Sequence, residues 1–125
     1  MTIKIDYPKT PEGKAEWNRQ YGLNAYWSGK HWTARKKDAD FWHMLVKSVL
    51  PKKCKKFDKP VEISFYWNDG LDIDNHGAIG KMIVDGLKGI LFTDDSKKYI
   101  KKISHEYHDE DYIKVEIEEL KDVQA

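Results

Sequence analysis

Val61-Glu62-Ile63-Ser64-Phe65-Tyr66-Trp67 runs through Asn68-Asp69-Gly70 into Leu71-Asp72-Ile73-Asp74-Asn75-His76-Gly77. Apolar residues alternate with mostly polar ones over the first seven positions, which predicts a half-buried strand, and Asn-Asp-Gly is a strong turn signal. From Asn75 to about Lys88 the period changes. Ile79, Met82, Ile83, Leu87 and Ile90 form one apolar stripe, with Lys81, Asp85 and Lys88 on the other side, so an amphipathic helix starts at the aspartates. Gly77, Gly80 and Gly86 each lower its intrinsic propensity by about 1 kcal/mol relative to alanine. Packing or a close backbone approach must therefore hold it, and Gly89 suits its C-terminal cap.

Working outward, Ile3, Ile5 and Tyr7 alternate in a first strand, Thr2 to Tyr7, ended by Pro8 and Pro11. Lys9 to Gly29 lacks firm periodicity. Pro11 could open a short helix, but the stretch reads as an ordered, aromatic-studded loop. Thr33 is an N-cap candidate for a helix to about Leu50, with Ala34, Phe41, Trp42, Leu45, Val46 and Val49 at helical spacing. Its other side carries Arg35, Lys36, Lys37 and Lys47, most simply a solvated face, and Pro51 stops it. Tyr99 to His105 and Tyr112 to Glu118 are extended, with His108-Asp109-Glu110-Asp111 between them, and together read as a hairpin. Glu119 to Ala125 is a polar tail. The expected fold is α+β: one two-layer α/β domain over residues 1–125, a mixed four-stranded sheet with two main helices on one face.

Composition bounds the function. Net charge is +1, so attraction to a polyanion must come from local clustering of lysines. Pro51 to Lys59 holds five, including Lys52, Lys53, Lys55 and Lys56, and Lys97 and Lys98 form a second group with Lys101 and Lys102. Each is a solubilising surface or a DNA-backbone contact, and salt dependence separates the two. Cys54 stands alone, which excludes an intrachain disulfide, and reads as an exposed spectator thiol. His31, His43, His76, His105 and His108 show no familiar zinc spacing, and His43 reads as helix surface. His76 either touches a carboxylate or substrate, or is incidental to the helix start. Neither a signal peptide nor an apolar run of membrane-spanning length is present, so a cytoplasmic protein is expected.

Asp72, Asp74, Asp94 and Asp95 carry the chemistry. Carboxylates gathered so densely repel one another, and a fold that collects them commonly does so around a hard divalent cation such as Mg²⁺. Asp72 and Asp74, two apart at the end of a strand, would leave the same face, and a loop returning Asp94 or Asp95 to that end would supply a third ligand. Such a site polarises a phosphodiester and generates a hydroxide near neutral pH. Lys81 could stabilise charge on the phosphate or simply pair with Asp85. The bland alternative makes the aspartates turn and cap residues. An EF-hand loop is excluded: Asp72, Asp74 and Gly77 match its first, third and sixth positions, but its twelfth is Ile83, its fifth is His76, and a strand precedes it.

Asp72-Ile73-Asp74-Asn75, Lys81 through Leu87, and Gly89-Ile90-Leu91-Phe92-Thr93-Asp94-Asp95-Ser96 together resemble the RusA family of Holliday-junction resolvases, common in phages and prophages. Leu23-Asn24-Ala25-Tyr26-Trp27 and His31-Trp32-Thr33-Ala34-Arg35 are similar to that family's opening, so the resemblance covers most of the chain. It implies Asp72, Asp74 and Asp95 as the acidic residues of a Mg²⁺ site, with Mn²⁺ as a substitute, Asp94 as helper and Lys81 as the catalytic lysine. Two departures stand out: Leu71 occupies a position that is often basic, and Lys81 follows Asn75 at a longer spacing than in the best-known member, as in a phage branch. The resemblance further implies branched DNA as substrate and a homodimer, since paired cuts across a four-way junction need two symmetric sites. Tyr21 to Trp32 is a candidate pairing surface. A catalytically silent branched-DNA-binding protein of the same fold, or a nuclease for flaps and other DNA structures, are the alternatives.

Overall fold

The computed structural model describes residues 1–22 and 32–120. Strand β1, Thr2–Asp6, leads to helix α1, Pro11–Tyr21, and then to α2, Trp32–Val49. Strand β2, Val61–Trp67, is followed by a 3₁₀ turn, Ile73–His76, that runs into α3, Gly77–Leu87. Strands β3, Ile100–Tyr107, and β4, Tyr112–Glu119, close the fold. The sheet order is β1-β4-β2-β3, antiparallel except for the parallel β2–β3 pair. This is the expected mixed four-stranded α+β arrangement, with one more helix than expected. Of the candidate pairing stretch Tyr21 to Trp32, Leu23 to His31 lie outside the described residues.

The sheet is two-sided in composition. Ile3, Ile5, Val61, Ile63, Phe65, Trp67, Ile113, Val115 and Ile117 are buried on the helix side. On the opposite face Lys114 pairs with Glu116 at 3.3 Å and lies 4.4 Å from the Tyr66 ring centroid. One apolar and one charged face is what helices on a single side require.

Pro11–Tyr21 forms a helix rather than a loop. Thr10 Oγ1 accepts the Gly13 N–H at 2.9 Å and Pro11 occupies the first turn, so local capping starts it. It is held because Trp17 and Tyr21 are buried in an edge-on aromatic cluster with Tyr7 and Trp42, at centroid distances of 4.9–5.5 Å. Only two residues of the helix are buried, too few for a legible period.

Strands β3 and β4 do not form a hairpin. β4 inserts between β1 and β2, and residues 108–111 cross the end of β2, where the His108 N–H donates to the Trp67 carbonyl at 3.0 Å. Burial explains the exchange. Ile113, Val115 and Ile117 are fully buried and belong in the middle of the sheet, whereas β3 exposes Lys101, Lys102 and Ile103 and suits an edge. On α2, Trp42 and Val46 face the core as expected, but Phe41 is 47 % exposed. Asp38 is buried there and accepts from Gln20 Nε2 at 3.0 Å. Cys54 is half-buried, its thiol 3.1 Å from the Pro51 carbonyl, and not an exposed thiol.

Helix α3 shows why it carries glycines. A Cβ on Gly86 would lie 3.3 Å from His43 Cα and from Val46 Cβ, so this is where α2 and α3 approach most closely, and His43 is half-buried there rather than on the surface. Gly89 adopts φ +78°, the left-handed conformation that ends the helix. Gly86→Val is expected to lower stability by about 1–3 kcal/mol, because its Cβ alone already meets the His43 backbone and the Cβ of Val46, neither of them the far end of a flexible side chain. Urea unfolding followed by tryptophan fluorescence measures it, and an unchanged midpoint would show that α2 can shift away.

Candidate functional site

Strand β2 ends at Trp67, and Asn68 to Leu71 carry the chain over before the aspartates. Asp72 is the extended residue that starts the 3₁₀ turn, and Asp74 already lies within it, so the two do not end a strand on one face. The turn closes through the Asn75 N–H, which donates to the Asp72 carbonyl at 2.9 Å. Both carboxylates are exposed, and among the described residues neither has a hydrogen-bond or ion-pair partner. Their common neighbour is Tyr107. Its hydroxyl donates to the Leu71 carbonyl at 2.5 Å, and burial, then Asp72, Asp69 and Asp74, push its pKa above the ordinary range.

Beneath this turn lies Asp69, with its side chain 3 % exposed. It accepts from the Tyr7 hydroxyl at 3.1 Å, Trp17 Nε1 at 3.3 Å and the Leu71 N–H at 3.1 Å. His76, fully buried, brings Nε2 to 2.8 and 3.0 Å from its two oxygens. The other ring nitrogen of His76 donates to the Ile73 carbonyl at 3.1 Å. A carbonyl only accepts, so the Nδ1 proton is fixed there, while Nε2 faces a carboxylate that already collects three other donors. The His76 ring also stacks on Trp67 at 4.2 Å. Tyr7 in turn accepts the Asn68 N–H at 2.9 Å, and burial raises its pKa far above the ordinary phenol value.

Sequence reading found this turn and offered a carboxylate contact for His76, but it did not identify Asp69 as the partner. Asn68-Asp69-Gly70 is the turn it signals, since Asp69 does bond the backbone two residues on, but that reading leaves Asp69 on the surface. The overlooked sign was His76 itself, which falls three and seven residues before Ile79 and Ile83 and so continues the buried stripe of α3.

The second pair of aspartates is elsewhere. Because β2 and β3 run parallel, with Val61 opposite Ile100, the loop that leads into β3 lies beside the start of β2, not beside its end. The expectation that this loop returns Asp94 or Asp95 to the end occupied by Asp72 and Asp74 is therefore not met. Ser96 bonds the Asp94 carboxylate, its N–H at 2.8 Å, and holds its pKa below the usual carboxylate range. Asp95 is 3.4 Å from Lys88 Nζ, which also reaches Asp85 at 3.1 Å and is raised in pKa first by Asp85 and then by Asp95. Among the described residues no three His, Cys, Asp or Glu side chains group closely enough to hold a metal ion together.

Between α3 and β3 runs a groove of about 180 Å³, lined by Phe65, Gly77, Gly80, Lys81, Val84, Asp95, Ile100, Ile103 and His105. It brings Lys81 and Asp95 to one surface. Lys81 is 70 % exposed and lies 3.6 Å from Asp85, so both uses foreseen for it are open. His105 accepts the Trp67 Nε1–H on Nδ1 at 3.0 Å, which leaves the proton of its neutral form on Nε2. Burial, then the neighbouring His76, hold its pKa below the ordinary 6.5. The unfolded chain thus binds that proton more readily, and stability must fall as pH drops through 6.5 towards the lower folded value. His105→Gln, which keeps an acceptor for Trp67, is expected to flatten that decline in urea titrations between pH 7 and 5; an unaltered slope would assign it to other groups.

Lys52, Lys53, Lys55 and Lys56 precede β2 and Lys97 and Lys98 precede β3; all six are exposed. The two loops touch, the Phe57 N–H donating to the Leu91 carbonyl at 2.7 Å, so both lysine groups share the end of the parallel pair opposite to Asp72 and Asp74.

Asp72 and Asp74 are exposed oxygen donors of the kind a hard divalent cation takes, with water and a phosphate oxygen as its usual further ligands. Asp95, tied to Lys88, and Asp94, tied to Ser96, do not join them. Among the described residues no helix is long and apolar enough to cross a membrane. No protein-family model matches the chain, and no curated protein or solved structure is significantly similar to it.

Proposed function

We propose that this chain is a metal-dependent, structure-selective endodeoxyribonuclease of the RusA type, which resolves four-way DNA junctions by paired phosphodiester hydrolysis as a homodimer. The observation that carries the reading is the pair of exposed carboxylates, Asp72 and Asp74, without a partner among the described residues, on one short turn anchored from below by the buried Asp69–His76 contact. Mg²⁺, or Mn²⁺ in its place, would be held by these two and would supply Lewis-acid activation of the phosphodiester and of water. Lys81, on the groove wall that begins at Gly77, would face the phosphate. Asp95 borders the same groove from its opposite side.

The separation of charges sets how DNA would lie. β2 spans seven residues, about 23 Å at roughly 3.3 Å per residue, between the lysine end and the aspartate end. A duplex arm gripped by Lys52, Lys53, Lys55, Lys56, Lys97 and Lys98 would therefore reach the aspartates about seven base-pair steps further on, at ~3.4 Å per step. A role in cutting junctions would put the protein in the cytoplasm of a bacterium or a phage-infected host.

One observation favours a second reading, a junction-binding protein without catalysis: among the described residues no third carboxylate groups with Asp72 and Asp74. The test is incubation of the protein with four-way, flap and linear duplex DNA, with Mg²⁺ or Mn²⁺. Paired, symmetric nicks confined to the four-way junction are expected. Salt-sensitive junction binding with no cleavage under any divalent ion supports the second reading, and cleavage of flaps alone moves the substrate.

A further inference from the structure

Asp69 and His76 stand at the two ends of the segment that carries Asp72 and Asp74. Their side chains close it into a loop, with Nε2 of His76 2.8 Å from Asp69 Oδ1. Each end is fixed a second time. Asp69 is held from β1 by the Tyr7 hydroxyl and from α1 by Trp17 Nε1, at 3.1 and 3.3 Å. His76 is held by its stack on Trp67 and by the Ile73 carbonyl, which lies between the two exposed aspartates. Leu71, 8 % exposed, is pinned from both sides, its N–H by Asp69 and its carbonyl by Tyr107. A surface turn needs none of this to fold, and burying a carboxylate against an imidazole costs desolvation that an apolar contact would avoid.

We propose that the Asp69–His76 pair is a positioning device that staples the 69–76 loop, so that Asp72 and Asp74 are fixed side by side before a divalent cation or DNA arrives. The proposal rests on the reading of Asp72 and Asp74 as the cation-holding pair. Two like charges on a loose turn move apart. Stapled, they remain a preformed anionic clamp, and the cation that enters loses less in ordering it. The pair touches no substrate; it acts through the backbone of Leu71 and Ile73.

The experiment is a Mn²⁺ titration followed by the electron paramagnetic resonance of the free ion, on the full chain, well below each protein's unfolding temperature. Five proteins are compared: wild type, Asp72→Asn, Asp69→Asn, His76→Gln and Gly86→Val, the last destabilised far from the turn. Wild type and Gly86→Val are expected to bind alike, Asp72→Asn to lose the site, and the two staple variants to bind about tenfold more weakly or worse. Staple variants that bind Mn²⁺ as tightly as wild type, while Asp72→Asn does not, overturn the staple and leave the cation reading intact. A wild type that binds no more Mn²⁺ than Asp72→Asn overturns both. Should the staple variants fail to fold, amide exchange in the wild type decides: Leu71 and Asn75 protected like the β2 amides support the staple, and exchange as fast as an unstructured loop overturns it.

Discussion

Asp69→Ala is expected to cost about 3–5 kcal/mol of unfolding free energy, a large share of the roughly 5–15 kcal/mol that holds a domain together. The change removes one carboxylate and strands four donors. His76 keeps its place but loses the carboxylate opposite Nε2, while Tyr7, Trp17 and the Leu71 N–H lose their acceptor. His76→Ala leaves the complementary fault, an unpaired buried carboxylate. Asp72→Ala, three residues from Asp69, should change stability by less than about 0.5 kcal/mol, since its exposed side chain has no partner among the described residues. Urea unfolding monitored through Trp17 and Trp67, both within the network, measures all three. If Asp69→Ala and Asp72→Ala unfold at the same concentration, the buried pair is not what holds the turn.

This contrast locates what could be read from the chain and what could not. β2 was legible to the residue because its alternation is strict and Asn68-Asp69-Gly70 ends it. Helix α3 was legible from its stripe, and its glycines foretold a close approach that Gly86 shows against α2. Helix α1 was hidden because its burial depends on Tyr7 and Trp42, distant in sequence. The β3–β4 connection was misread because adjacency in sequence suggests a hairpin, whereas the exchange with β2 is decided by how deeply each strand's residues are buried.

The site divided along the same line. Asp72 and Asp74 are local to one turn, and sequence spacing finds them. Whether Asp94 and Asp95 reach them depends on the direction of β3 relative to β2, and the parallel register keeps that loop at the other end. A carboxylate contact was one reading of His76, but Asp69 was missed as its partner, for the opposite reason. Each has a sufficient local explanation, a turn aspartate and a helix-start histidine, and only the folded chain shows them bonded to each other.

The larger functional effect belongs to Asp74. Asp74→Asn keeps the volume of the side chain and removes its charge, at an exposed position where folding does not depend on it. If this carboxylate holds the cation, losing it should lower junction cleavage by at least about a hundredfold, the loss seen when one charge-stabilising group is taken from a transition state. Junction binding, if it rests as proposed on Lys52, Lys53, Lys55, Lys56, Lys97 and Lys98 at the far end of β2, should change little or tighten slightly as a negative charge leaves the surface. The most direct measurement is therefore cleavage and binding of one synthetic four-way junction by wild type and Asp74→Asn, side by side, with Mg²⁺. The expected result is paired nicking by wild type alone, with both proteins binding the junction; equal cleavage by the two would contradict the assignment of Asp74 to the catalytic site.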